Sequence, residues 1–258
     1  MSKVIAVANQ KGGVGKTTTA VNLGACLGDL GRSVLVVDLD PQGNATSGLG
    51  VDRRKMEASV YDCLVNDLEP VKALRATEFR GLWLLPSSLG LAGAEIELVP
   101  LPERENRLRK CIGKVRENYD FILIDCPPSL GLLTINALAA ADSVLIPIQC
   151  EYYALEGLSQ LLSIVKLVRN RLNSTLDLEG VLLTMFDGRT NLSLQVAEDV
   201  KKYFRDKVYR TIIPRNVRLS EAPSHGKPIT IYDSKSKGAE VYRELAEEVV
   251  RRGEEGIG

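Results

Sequence analysis

A single histidine, His225, is the scarcest chemical resource in this 258-residue chain, and it rules out two classes of site. A Ser-His-Asp triad would consume it, leaving no other histidine role, and a multi-histidine zinc site cannot be built at all. The five cysteines (Cys26, Cys63, Cys111, Cys126, Cys150) form no C-x-x-C pair. An odd, unclustered set without a signal peptide reads as reduced thiols in a cytosol, each a small buried hydrophobe. Charge bias is also missing: Lys+Arg and Asp+Glu stand at 33 each, so net charge points to no nucleic-acid or membrane partner and only a local patch can. The longest apolar run, Leu130 to Ala141, is interrupted by Thr and Asn and is too short to span a bilayer. No repeat, low-complexity tract or Ser/Gly-rich linker divides the chain, so one domain over 1–258 is expected. The first strand is expected to begin at Lys3 or Val4, and no N-terminal helix-turn-helix module is expected before it.

What the chain does have is a rhythm of short Val/Ile-rich runs. Val4–Ala8, Ser33–Asp38, Leu82–Pro86, Phe121–Asp125, Ser143–Ile148 and Gly180–Met185 are continuous rather than alternating, as buried parallel strands are when helices cover both faces. Helical spacing of apolar residues recurs over Thr17–Leu30, Arg104–Asn118, Leu155–Leu172 and Leu192–Phe204. The alternation predicts an α/β, doubly wound, mostly parallel sheet flanked by helices. Over Ala239–Arg252, Val241, Leu245 and Val249 form one stripe, while Glu240, Glu244, Glu247 and Glu248 outnumber Arg243, Arg251 and Arg252. Anionic lipid would repel that polar face, so a helix packed on the domain is expected.

Directly after the first strand comes NQKGGVGKTTT, Asn9 to Thr19. It fits the phosphate-binding pattern G-x-x-x-x-G-K-[ST] except that Gln10 replaces the first glycine and Lys11 follows it. Glycines let backbone N–H groups turn toward an anion, and the following helix adds its positive end. Gly12, Gly13, Val14 and Gly15 therefore form the candidate cradle of a nucleotide. Lys16 is placed for β- and γ-phosphates, Thr17 for Mg²⁺ and Thr18 for the α-phosphate. Two acidic segments end hydrophobic strands at the edge where open α/β sheets bind ligands: VVDLDPQGN (Val36–Asn44) and ILIDCPPS (Ile122–Ser129). Asp125 suits the metal-supporting position and Asp38 is a second metal candidate. Asp40, further into its loop, suits orienting or deprotonating an attacking water. Asp-Pro and Pro-Pro are ordinary turn signals too, so the weight lies in the three segments together.

KGGVGKTTT, DLDPQGNAT, IDCPPSLG, QCEYYALEG and IPRNVRLSEAPSHGKPI together resemble the ParA/Soj family of partitioning ATPases, a P-loop NTPase group of the deviant Walker A (MinD/ParA) type, and the resemblance spans essentially the whole chain. It implies ATP hydrolysis with Mg²⁺, a homodimer in the ATP state, binding of duplex DNA without sequence preference, and stimulation by a ParB-type partner. It implies a cytoplasmic, nucleoid-associated protein acting in chromosome segregation or replication-origin control. Lys11 then crosses a dimer interface to the phosphates of the other subunit, joining Lys16 and Asp40 in catalysis. By the same resemblance Glu151 lies near nucleotide and interface, and Met185, Pro214 and Asn216 flank the adenine. Arg189 and Arg218 match DNA-binding positions, with Lys201, Lys202, Lys227 and Lys235 as further candidates in a stretch, Arg189–Lys237, of eleven basic and five acidic residues. With no base-reading module, phosphate contacts would dominate. A MinD-like membrane protein is the alternative and needs a basic amphipathic C-terminal helix. An iron–sulfur carrier of this fold needs paired cysteines.

Overall fold

The computed structural model describes residues 2–151 and 158–255. In chain order its elements are β1 (Lys3–Val7), α1 (Lys16–Asp29), β2 (Val34–Asp38), α2 (Asn44–Gly48), α3 (Val60–Val65), α4 (Pro70–Ala73), β3 (Arg75–Ala76), β4 (Leu82–Leu85), α5 (Leu91–Glu97) and α6 (Arg107–Gly113). There follow β5 (Phe121–Asp125), α7 (Leu132–Ala140), β6 (Ser143–Gln149), α8 (Leu158–Arg171), β7 (Asp177–Thr184), α9 (Asn191–Phe204), α10 (Val217–Glu221), α11 (Ile229–Tyr232) and α12 (Lys237–Glu255). The sheet runs β3-β4-β2-β5-β1-β6-β7. Every pairing is parallel except the two-residue β3 against β4.

The strands are continuous apolar runs because both of their faces are covered. On one face Val4, Ala6, Leu35, Val37, Ile122 and Ile124 pack under α3 and α5 to α9. On the other Ile5, Val7, Val34, Val36 and Leu123 pack under α1 and α12. A Cβ on Gly24 would lie 3.0 Å from the Val36 side chain and 3.2 Å from Leu82, so the small residue lets α1 press onto the sheet. That contact fixes the start of α1 beyond the end of β1.

The expected helix over Arg104–Asn118 is shorter: α6 stops at Gly113 and a 3₁₀ turn, Arg116–Asn118, completes the segment. Part of the helix expected from Leu155, residues 155–157, lies outside the described residues. The α12 stripe of Val241, Leu245 and Val249 is buried as expected, but Glu248 is not on the solvent face. It points inward, accepting from the N–H groups of Arg210 (2.9 Å) and Thr211 (3.0 Å), from the Thr211 hydroxyl and from Arg252. All five cysteines are buried. No helix among the described residues is long and apolar enough to cross a membrane.

Candidate nucleotide and metal site

Parallel register gathers the candidate site at one sheet edge. Asp38 of β2 pairs with Asp125 of β5, and Asp125 pairs with Val7 of β1, so two acids and the start of the glycine loop sit at one level. The loop holds its shape through positive φ at Gly13 (74°) and Gly15 (89°), a conformation that other residues enter at a cost. Side chains brace it from outside. Asn9 donates to the Pro147 carbonyl at 2.7 Å and accepts from the Lys11 N–H at 3.0 Å. Thr184, the last residue of β7, donates to the Val14 carbonyl at 2.9 Å. That bond ties the loop at Val14 to the end of β7.

The two lysines behave differently. Lys16 is 6% exposed and curls back to donate to the Lys11 carbonyl at 3.1 Å. Burial pulls its ammonium below the ordinary lysine value, with Asp125, Cys126 and Asp40 acting the other way. Lys11 turns away: its side chain is 38% exposed and its ammonium lies 3.7 Å from Glu151, which also faces Arg215 at 3.4 Å.

Asp38 and Asp125 are fully buried, yet they are held differently. Asp38 accepts from the Thr46 hydroxyl (2.6 Å) and N–H (2.7 Å) and from the Asp40 N–H (3.3 Å). Burial nonetheless pushes its carboxyl up to about 6. Among the described residues, both carboxylate oxygens of Asp125 lack a hydrogen-bond partner. Burial first, then neighbouring Asp38 and Asp40, pushes its carboxyl well above the usual range, while the Lys16 ammonium acts the other way. A buried carboxylate with open lone pairs beside a threonine hydroxyl is a hard-oxygen set that fits Mg²⁺. Among the described residues no cluster of three or more His, Cys, Asp or Glu could hold a metal ion. Asp40, 6% exposed, accepts from the Gln42 N–H at 2.9 Å, and its carbonyl takes the Ser87 hydroxyl at 2.8 Å.

Beside Gly15 and Thr18 opens a cavity of about 500 Å³ that brings together Met185, Pro214 and Asn216. Phe186 and Pro214 bridge the two segments that carry these residues. Met185 has φ 51°, a left-handed conformation rare outside glycine, at the turn where β7 leaves the sheet. Asn216 accepts from the Arg218 N–H at 2.9 Å, capping α10.

The basic stretch is less free than its composition suggests. Arg189 makes a two-pronged pair with Asp187 (2.9 and 2.7 Å), and Arg218 pairs with Glu221 (2.9 Å) and Asp233 (3.4 Å). Lys202 lies 3.9 Å from Asp199, whereas exposed Lys201 and Lys235 have no acid within salt-bridge distance among the described residues. Lys227 lines a separate cavity beside Thr17 and Thr18. Sequence reading also passed over Thr46, Ser87, Asn9 and Thr184 as supports. Thr46 belongs to the DLDPQGNAT run, so its segment was visible although its contact was not.

The family model described as an AAA domain matches residues 2–178. The sporulation initiation inhibitor protein Soj of Bacillus subtilis (strain 168) is 65% identical over 253 residues, covering 98% of this chain and all of that protein. The chromosome-partitioning ATPase Soj of Treponema pallidum (strain Nichols) is 53% identical, covering 98% of each chain. A solved structure of cobyrinic acid a,c-diamide synthase from Mycobacterium smegmatis, with bound ATP analog and magnesium, matches with a TM-score of 0.88 and 42% identity. It covers 99% of this chain and 97% of that one. On this identity along nearly its whole length, the chain belongs to the ParA/Soj family.

Proposed function

We propose that this chain, a ParA/Soj-family ATPase acting on ATP with Mg²⁺, is a nucleotide-switched DNA-partitioning protein. ATP brings two copies together, the dimer holds duplex DNA without reading its sequence, and a ParB-type partner accelerates hydrolysis. The work is chromosome segregation or origin control on the nucleoid. The observation that carries the reading is the division between the lysines: Lys16 folds into its own loop, while the Lys11 ammonium stays at the surface, 3.7 Å from Glu151. An exposed cation at the loop's mouth is placed for phosphates presented by a second copy.

The backbone of Gly12, Gly13, Val14 and Gly15 cradles the phosphates, with Lys16 on the β- and γ-groups and Thr18 on the α-group. Thr17, Asp38 and Asp125 hold Mg²⁺, which neutralises charge on the phosphate oxygens when bound. Asp40 orients the attacking water and accepts its proton while the γ-phosphoryl group leaves ADP. Met185, Pro214 and Asn216 flank the adenine, and Glu151 sits at the dimer seam. Arg189 and Arg218, aided by Lys201, Lys202, Lys227 and Lys235, meet DNA phosphates. A MinD-like membrane role is disfavoured because α12 turns its apolar stripe into the protein. Sedimentation with ATP alone, with plasmid DNA and with anionic liposomes tests the proposal. ATP-dependent pelleting with DNA supports it; pelleting with liposomes but not with DNA overturns it.

A further inference from the structure

Two cavities meet at Thr18. One, about 500 Å³, carries Met185, Pro214 and Asn216. The other, about 400 Å³, runs between α1, α2 and residues 222–227, and the two share only Thr18 and Pro223. Thr18 takes the α-phosphate in the reading above and the base lies in the first cavity, so the ribose, which joins them, falls at the junction. The second cavity is then the free volume open to a substituent on that sugar. It is far larger than a ribose hydroxyl needs, since a water occupies only about 30 Å³.

Much of its wall is apolar, with Val21, Gly48, Ala222 and Pro223, and Asn22 and Ser224 already hydrogen-bond within the chain; exposed Asn44, Ser47 and Lys227 are what remain for a ligand. The side chains of Asn44, Ser47 and Lys227 make no hydrogen bond or ion pair among the described residues, and no carboxylate lines the space. Lys227 shares this with exposed Lys201 and Lys235 and differs from Arg189 and Arg218, which are both paired within their own chain; of these three lysines it is the one that lines a cavity beside Thr18. One uncompensated ammonium among neutral donors, with no acid beside it, matches a phosphate group.

From this lining and the shared junction, we propose that the second cavity receives a phosphate or diphosphate carried on the ribose 3′-oxygen of a bound nucleotide. The protein thereby recognises 3′-phosphorylated nucleoside polyphosphates as well as ATP and ADP. This rests on the nucleotide reading of the glycine loop. Asn44 and Ser47 belong to α2, whose Thr46 anchors Asp38, so the added group bears on the segment that also carries Asp40.

Isothermal titration calorimetry on the full-length protein with Mg²⁺ compares ADP with adenosine 5′-diphosphate 3′-diphosphate, which differ only at the 3′-oxygen. The 3′-diphosphate is expected to bind about tenfold more tightly, the scale of a charge-assisted contact. Lys227→Ala should bring the two affinities together, and Lys227→Arg should keep them apart. Equal or weaker binding of the 3′-diphosphate by the unmodified protein overturns the proposal. So does a preference that survives in Lys227→Ala. If ADP itself fails to bind, the nucleotide reading falls and this inference with it, an outcome distinct from ADP binding without 3′ preference.

Discussion

Asp38 and Asp125 face each other in register across β2 and β5, both fully buried, yet only Asp38 has its carboxylate satisfied. Thr46 holds Asp38 with two short hydrogen bonds, while Asp125 has both oxygens open among the described residues. Without a ligand the fold therefore carries an uncompensated polar cost at this edge, which a cation would relieve.

Thermal unfolding should register that relief. Mg²⁺ with ATP at about a hundred times its dissociation constant should raise Tm by about 5 °C or more, and ATP with EDTA by less. In Asp125→Asn the gap between the two conditions should close. Differential scanning fluorimetry measures it, and an undiminished gap in the variant would remove Asp125 from the metal site.

Asp40→Asn separates charge from scaffolding. The amide keeps an oxygen for the Gln42 N–H, and the backbone bond to Ser87 is untouched, so the loop should hold its shape. Stimulated turnover should nevertheless fall by about a hundredfold or more, as when a general base is lost. ATP binding should persist. Phosphate release at the normal stimulated rate would leave Asp40 without a catalytic role.

The lysines should give different phenotypes. Lys16→Ala removes the buried ammonium that serves its own loop and should abolish or severely weaken nucleotide binding. Lys11→Ala should bind ATP and stay monomeric in gel filtration. Normal ATP-dependent dimerisation of that variant would eliminate the cross-subunit role.

Glu248 supplies a pH signature. Burial pushes its carboxyl up, but the Arg210 and Thr211 N–H groups, the Thr211 hydroxyl and Arg252 together hold it below the usual glutamate value. Stability from a lowered carboxyl is present above the ordinary value of about 4.3 and fades as pH falls through the lowered one. Glu248→Gln should cost about 1–3 kcal/mol at pH 7 and progressively less on acidification. Urea unfolding across pH checks this. A penalty constant with pH would make the contribution one of shape rather than charge.

Sequence periodicity reached the strands because β1, β2, β5 and β6 are covered on both faces and so read as unbroken Val/Ile runs. It missed α7, which is apolar nearly all round and has no polar face to set a period. It missed β3, since two residues carry no pattern. At the site, residues adjacent in sequence identified the glycine loop and the two acidic segments. The supports could not be read, because Thr184 reaches Val14 and Ser87 reaches Asp40 only through the fold. Counting charges along the chain likewise showed a basic stretch while hiding the carboxylates that Arg189 and Arg218 already hold.

Those carboxylates make the DNA reading testable in both directions. Asp187 grips Arg189 from two residues away and is drawn down to about 2, chiefly by hydrogen bonds from that guanidinium and its backbone N–H. A phosphate must displace Asp187 to use Arg189, so the pair competes with DNA. Asp187→Asn should therefore strengthen binding of the ATP-bound dimer to unrelated duplexes by about twofold to fivefold, the modest scale of exposed ion pairs. Arg189→Ala and Arg218→Ala should each weaken it, while leaving ATP-dependent dimerisation intact. If each removes one phosphate contact per subunit, the slope of log affinity against log salt becomes shallower by about 1.8. Fluorescence anisotropy across a salt series reads both effects. Unchanged affinity in both arginine variants would place the DNA face elsewhere, and loss on one sequence alone would mean that these arginines read bases.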